Sequence, residues 1–162
     1  MPPPVENQCL STWALARSVA IELSRSVLVQ NRVRRLFGRP LAVWLGALGP
    51  AKTVRMPYAL VAPAEESDGR DGLDHVISVT VGIDAGEDSN TAEARPLEES
   101  PGVLVVGCGD RLQEVVDAIR DHFEEALPGS VQTAFDVEFD GFSAYPAQTA
   151  RISIQFHDEL AF

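Results

Sequence analysis

Three groups of residues have types and spacings that could do chemistry. The first is Val103-Leu104-Val105-Val106-Gly107-Cys108-Gly109-Asp110, an apolar run, a Gly-x-Gly turn and then an amphipathic segment. A glycine turn entering a helix can present backbone amides to a ligand, because the first N–H groups of a helix have no internal acceptor. The second is Asp136, Glu138 and Asp140, carboxylates at period two that share one side of a strand. Such a row could hold a divalent cation, and it is also how an ordinary solvated strand face reads. The third is Arg32-Val33-Arg34-Arg35 with Arg39, a basic cluster able to meet phosphate or carboxylate; cations at a helix end are also favourable in their own right. The histidines His75, His122 and His157 have no metal-ligand spacing to one another or to Cys9 and Cys108. No Gly-x-Ser-x-Gly, Walker or paired His-Glu metal motif occurs.

The Gly107–Gly109 turn resembles the first motif of S-adenosylmethionine-dependent methyltransferases and, loosely, a dinucleotide fingerprint. It implies a small nucleotide- or S-adenosylmethionine-binding enzyme as the alternative function. Two features oppose it. Arg111 or Leu112 stands where a third small residue is expected, and an open parallel sheet needs further strand–helix units that the remaining chain does not provide. The other reading is that Gly107 and Gly109 simply turn the chain into a helix.

The elements that must position these groups follow from periodicity. Leu112, Val115, Val116, Ile119, Phe123 and Leu127 recur at helical spacing, with Asp110 as N-cap and Pro128-Gly129 as the stop. The period then becomes two. Val131, Thr133, Phe135, Val137 and Phe139 share one face, and after a turn-rich break Ala150, Ile152, Ile154 and Phe156 do the same. The two runs predict an antiparallel hairpin whose apolar face lies under the 110–127 helix, with Phe135, Val137, Ile152 and Ile154 in the core.

Upstream, Ser11 or Thr12 caps a first helix with a stripe of Trp13, Ala16, Val19, Ala20, Leu23 and Val27, running on through Val33, Leu36 and Phe37 to Gly38-Arg39-Pro40. A break near Gln30 is compatible with the β-branched patch Val27–Val29. Residues 41–48 read as a short strand or as a buried connector. Tyr58–Ala62 is a short strand framed by Pro57 and Pro63, and Glu65–Gly72 a polar loop. His75–Ile83 alternates as a second strand, with Ile77, Val79, Val81 and Ile83 on one face. Residues 84–101 form a long loop carrying Asp84, Glu87, Asp88, Glu93, Glu98 and Glu99 against Arg95. A loop of that length in a compact domain is either solvated and mobile or functional.

The expected fold is therefore α+β. Two helices pack on a mainly antiparallel sheet in the order helix-strand-strand-helix-strand-strand, with a long acidic loop. Residues 1–10 are expected to be a flexible N-terminus and 11–162 a single domain. No apolar run reaches the ~18 residues of a membrane span, and Met1-Pro2-Pro3-Pro4 lacks the basic start of a signal peptide. A cytosolic chain with reduced thiols is the expectation.

The net charge of −11 is unevenly split. Through Met56 there are eight basic and two acidic residues, and beyond it five basic and 22 acidic. The acidic body opposes DNA binding, which is driven by Lys and Arg. The split is compatible with an ordinary solvated surface, and also with an oligomer in which the basic part of one copy meets the acidic part of the next.

The amphipathic first helix, the proline-bracketed strand 58–62, the alternating 76–83 run ending in an acidic loop, and the helix–strand–Tyr145-Pro146–strand close together resemble a known family. It is the tail terminator, or tail completion, proteins of long-tailed bacteriophages. The resemblance spans most of residues 11–157 and rests on element order. It implies a structural virion protein, not an enzyme, that assembles into a ring, commonly of six copies. The ring caps the tail tube and joins it to a head–tail connector or neck protein. It implies no cofactor, no metal and no membrane, with genomic DNA passing through an acidic interior without specific binding. It places the protein in the virion tail or neck, assembled in the host cytoplasm. A different head–tail neck adaptor is the neighbouring alternative. The interface candidates, taken from the charge split, are Arg32, Arg34, Arg35 and Arg39 on the basic side and Glu87, Asp88, Glu93, Glu98 and Glu99 on the acidic side.

Overall fold

A computed structural model describes residues 11–46, 56–68, 72–84, 95–105, 109–125, 131–140 and 147–159. The first helical stripe folds as two helices, α1 (Thr12–Arg25) and α2 (Val27–Phe37). With the later α3 (Gly109–Glu125), the described residues hold three helices where the sequence predicts two. The break falls at Ser26. Its extended backbone ends α1, and its hydroxyl accepts the Val29 N–H at 3.2 Å, capping α2. The break also turns the second stripe. Val27, expected inside, is 72% exposed, while Val29 and Val33 are buried. Gly38 closes α2 at φ +73°, the left-handed geometry that glycine tolerates, with its N–H donating to the Arg34 carbonyl. The Gln30 side chain then clips the connection, accepting from Leu41 N–H and donating to Leu41 C=O.

The segment the sequence leaves open contains a strand, β1 (Ala42–Leu45), parallel to β2 (Tyr58–Asp68). With β3 (Gly72–Asp84), β6 (Val131–Asp140) and β7 (Ala147–Glu159) it forms a five-stranded sheet in the order β1-β2-β3-β7-β6. Every other pairing in it is antiparallel. β2 runs well past Ala62, so Glu65–Asp68, expected as loop, is strand. Pro63 is accommodated by a register shift between Pro63 and Glu65, beyond the reach of β1, where its missing N–H leaves no ladder bond unmade.

The expected long loop is also corrected. Asp84 ends β3, and β4 (Arg95–Leu97) pairs with β5 (Ser100–Val105) as a separate two-stranded hairpin. Residues 85–94 lie outside the described residues, as do residues 1–10, 47–48 and the expected helix stop at Pro128-Gly129.

One face of the sheet is covered. α1 crosses β1, β2 and β3, α3 lies over β7 and β3, and α2 packs against α3. Beneath them Ala59, Val61, Ile77, Val79, Val81, Ile83, Ala150, Ile152, Ile154 and Phe156 are fully buried. Ile152 and Ile154 are core as expected. Phe135 and Val137 are only partly buried, because β6 is an edge strand; the Arg120 guanidinium lies 5.0 Å from the Phe135 ring centre and shields it. A register shift between Gln132 and Ala134 interrupts the alternation, so Val131 pairs with His157 but Phe135 with Ile154. Trp13 and Phe139, both expected inside, are half exposed at the margins of the layer.

On the opposite face Tyr58 lies across Gly82, its partner in the β2–β3 register, and the ring fills the space a Cβ would need. Burial there raises the Tyr58 phenol above its ordinary pKa.

Candidate functional site

The described elements on either side of the glycine turn are placed unlike a nucleotide site. Gly107 and Cys108 lie outside the described residues; Gly109 opens α3 and is exposed. The strand before it, β5, belongs to the separate hairpin, not to a central parallel strand. The crevice of a doubly wound sheet, where helix N-termini meet the carboxyl ends of parallel strands, is not built among the described residues. A cleft of about 300 Å³ does lie beside the start of α3, lined by Leu112, Gln113, Phe139, Asp140, Gln148 and Thr149. Among the described residues that lining holds no His, Cys, Ser or Lys.

Asp136, Glu138 and Asp140 stand exposed along β6, opposite Ser153, Arg151 and Thr149 of β7. Arg151 donates from Nε to Ser78 Oγ at 3.3 Å. Among the described residues no group of three or more His, Cys, Asp and Glu side chains is gathered as for a metal. None of the described helices is long and apolar enough to cross a membrane.

Each histidine sits beside a carboxylate from another part of the chain. His157 Nδ1 is 2.7 Å from Asp74, its cross-strand partner, and His122 Nε2 is 3.3 Å from Glu22, joining α3 to α1. His75 is fully buried at the start of α1. Thr12 Oγ1 donates to Glu66 Oε1 at 2.8 Å, so at 2.9 Å from His75 Nδ1 it must accept, and the imidazole carries its proton there. An imidazole that donates to the hydroxyl cannot be its general base, and Thr12 and His75 are both buried. The trio instead pins α1 to β2 and β3. The spacing of Thr12, Glu66 and His75 carries no signal of this in the sequence; only the β2–β3 register, Glu66 opposite His75, brings them together.

Thr12→Val is expected to cost about 1–3 kcal/mol, because it leaves the buried His75 N–H without its acceptor. Glu66, 3.7 Å from that nitrogen, is too far to replace the hydroxyl without movement. Urea melts of Thr12→Val and Thr12→Ser check this: serine should recover most of the loss, and equal losses would show that the methyl group, not the hydroxyl, matters.

The interface candidates fall into two places. Arg34 and Arg35 are exposed in the last turn of α2, with Arg32 and Arg39 half-buried around it. Glu98 and Glu99 are exposed at the turn of the β4–β5 hairpin. Glu87, Asp88 and Glu93 lie outside the described residues.

The charge split does not point to the exposed apolar residues. Leu97, Val103 and Leu104 are exposed on the hairpin, Trp44 and Leu45 are exposed on β1, and the exposed Trp13 of α1 brings its ring near Gly46 at the end of β1. Their signal is present in the sequence only as apolar residues, which a core would claim equally.

The described residues thus make an α+β fold, with three helices over a five-stranded mixed sheet and a separate two-stranded hairpin. Among solved structures it is similar to a chain of "Virion of native gene transfer agent (GTA) particle", at 13% sequence identity and a TM-score of 0.50. The match covers 90% of this chain and 95% of that one, so the two share a fold over nearly their whole lengths. No protein-family model matches the sequence, and no curated protein matches it.

Proposed function

We propose that this chain is a structural protein of a phage-like particle, a tail terminator whose copies form a ring that caps the tail tube and joins it to the neck. The observation that carries the reading is the near full-length fold likeness to a chain from a gene transfer agent virion. The closing helix–strand–strand run, read from the sequence and present as α3, β6 and β7, points the same way. The basic end of α2 and the acidic hairpin turn supply two unlike patches on one chain, as a head-to-tail ring contact needs. In this reading the partners are further copies of the chain, the tail tube protein and a head–tail connector or neck protein. Genomic DNA passes through without specific binding, the site is the virion tail or neck, and no cofactor or catalysis is involved.

Light-scattering mass with negative-stain imaging of the purified protein tests this. The expected result is a closed ring of fixed mass, six times the 17.5 kDa chain for a hexamer. Raising salt should shift it toward smaller species, because exposed ion pairs are screened. A chain that stays monomeric at high concentration, or one that binds S-adenosylmethionine with micromolar affinity in calorimetry, would overturn the reading.

A further inference from the structure

Among the described residues the β4–β5 hairpin is a two-stranded unit with no substantial packing on the sheet or the helices. Every residue from Pro96 to Leu104 is exposed, including Leu97, Val103 at 49% and Leu104 at 63%. A lone hairpin is marginal in water, and an apolar one gains from cover. Its turn carries Glu98 and Glu99.

The sheet has two edges that such an arm could meet. The β6 edge bears the exposed carboxylates Asp136, Glu138 and Asp140, which repel an acidic tip. The β1 edge is opposite in character. β1 pairs only with β2 among the described residues, and its Trp44 and Leu45 are 40% and 36% exposed. Trp13 extends this apolar surface on the helix side, the face of Leu45, since its ring approaches Gly46 at the end of β1, while Trp44 alternates to the other face. The chain enters β1 directly from Arg34, Arg35 and Arg39. An apolar strip with arginines at one end thus matches an apolar arm with glutamates at its tip, and tryptophan and arginine are the residues that anchor protein interfaces.

We propose that the β4–β5 hairpin of one copy docks edge to edge along β1 of a second copy, with Val103 and Leu104, which alternate to opposite faces of β5, flanking Trp44 and Leu45, which alternate likewise on β1, and with Glu98 and Glu99 toward Arg34 and Arg35. The inference rests on the ring reading above and names its contact. Arm and cradle are different surfaces of one chain, so each copy gives one arm and receives one, and the contact propagates until rotation closes it. Pro96 and Pro101 have no N–H to donate, so the arm holds mainly through side chains and does not seed an open-ended sheet.

The test uses an arm variant, V103D with L104D, and a cradle variant, W44D with L45S, in the full chain. All four positions are exposed, and circular dichroism checks folding; L104S and W44S serve if the aspartates prove unfolding. Each variant alone should fall to the 17.5 kDa chain mass. Mixed in equal amounts, they should give species of twice that mass and nothing larger, because each pair retains one intact arm and one intact cradle. In a second arm of the test, E98R with E99R should weaken wild-type assembly, and adding R34E with R35E to the same chain should restore it. Full-size oligomers from the folded arm variant, or a mixture that stays monomeric, would overturn this contact while leaving a wild-type ring standing. If the cradle variant alone assembles fully, the arm meets another surface and the inference fails. A monomeric wild type would remove the ring reading and this contact together.

Discussion

Replacing Phe156 by alanine is expected to destabilise the protein by about 3–5 kcal/mol, the range for deleting a buried aromatic ring. Phe156 is fully buried and heads the largest core side chains. It lies on β7, paired on both sides by β3 and β6, so the backbone around it is held and cannot collapse into the space left. The loss is therefore the transfer free energy of the ring plus the cavity it leaves. Phe139→Ala makes the same chemical change at a half-exposed end of the edge strand, where water fills the space, and should cost about 1 kcal/mol or less. The comparison is a pair of urea melts with matched slopes. Equal losses would mean that the covered face of β7 is not the core.

Placing a carboxylate at Ala16 should be at least as damaging, and its cost should depend on pH. Ala16 has no exposed surface and lies on the face of α1 that crosses the sheet, between Leu15 and Val19 of the core. The nearest cations in sequence, Arg17 and Arg25, are on the exposed side of the helix. Ala16→Asp therefore buries a charge without a partner, a change of about 3–5 kcal/mol or more, a large share of the roughly 5–15 kcal/mol that a domain has. Desolvation raises the folded-state pKa of such an aspartate above its unfolded value. A raised folded pKa means that the penalty is smallest below the unfolded pKa and grows as pH rises through the folded one. Melts of the variant minus wild type at pH 4 and pH 7 should show the larger deficit at pH 7. A deficit independent of pH would place the introduced carboxylate in water and contradict the packing of α1.

Much of the local architecture is legible in the sequence because it depends on near neighbours. The 3.6-residue stripe of α3, the period-two runs of β3 and β7, the Ser11 and Gly38 caps and the antiparallel β6–β7 pairing follow from side-chain period and turn chemistry, each decided within a few residues. The departures are of two kinds. Ser26 wins a local competition: its hydroxyl caps a second helix, which the longer apolar stripe conceals. The others are non-local. Val27, Trp13 and Phe139 carry the right period but sit where the covered face turns or ends, and periodicity does not say how far a neighbouring element reaches.

The charge split and the arginine cluster of the candidate assembly site are likewise plain in the sequence. Their placement at the end of α2, next to an exposed β1 edge, is not, because β1 finds β2 only across the intervening chain. The hairpin, whose first strand and turn read as acidic loop and whose second strand ends in what reads as an apolar run, is a strand pair because Arg95–Leu97 meets Ser100–Val105 across a two-residue turn. What the sequence alone determined is the helix α3, the alternating strands β3, β6 and β7, an α+β composition, and a divided charge. Only the tertiary structure decided which edges and apolar residues remain uncovered. Coverage is a property of pairs of distant elements, and a residue's own type and spacing are the same whether or not another element arrives to bury it.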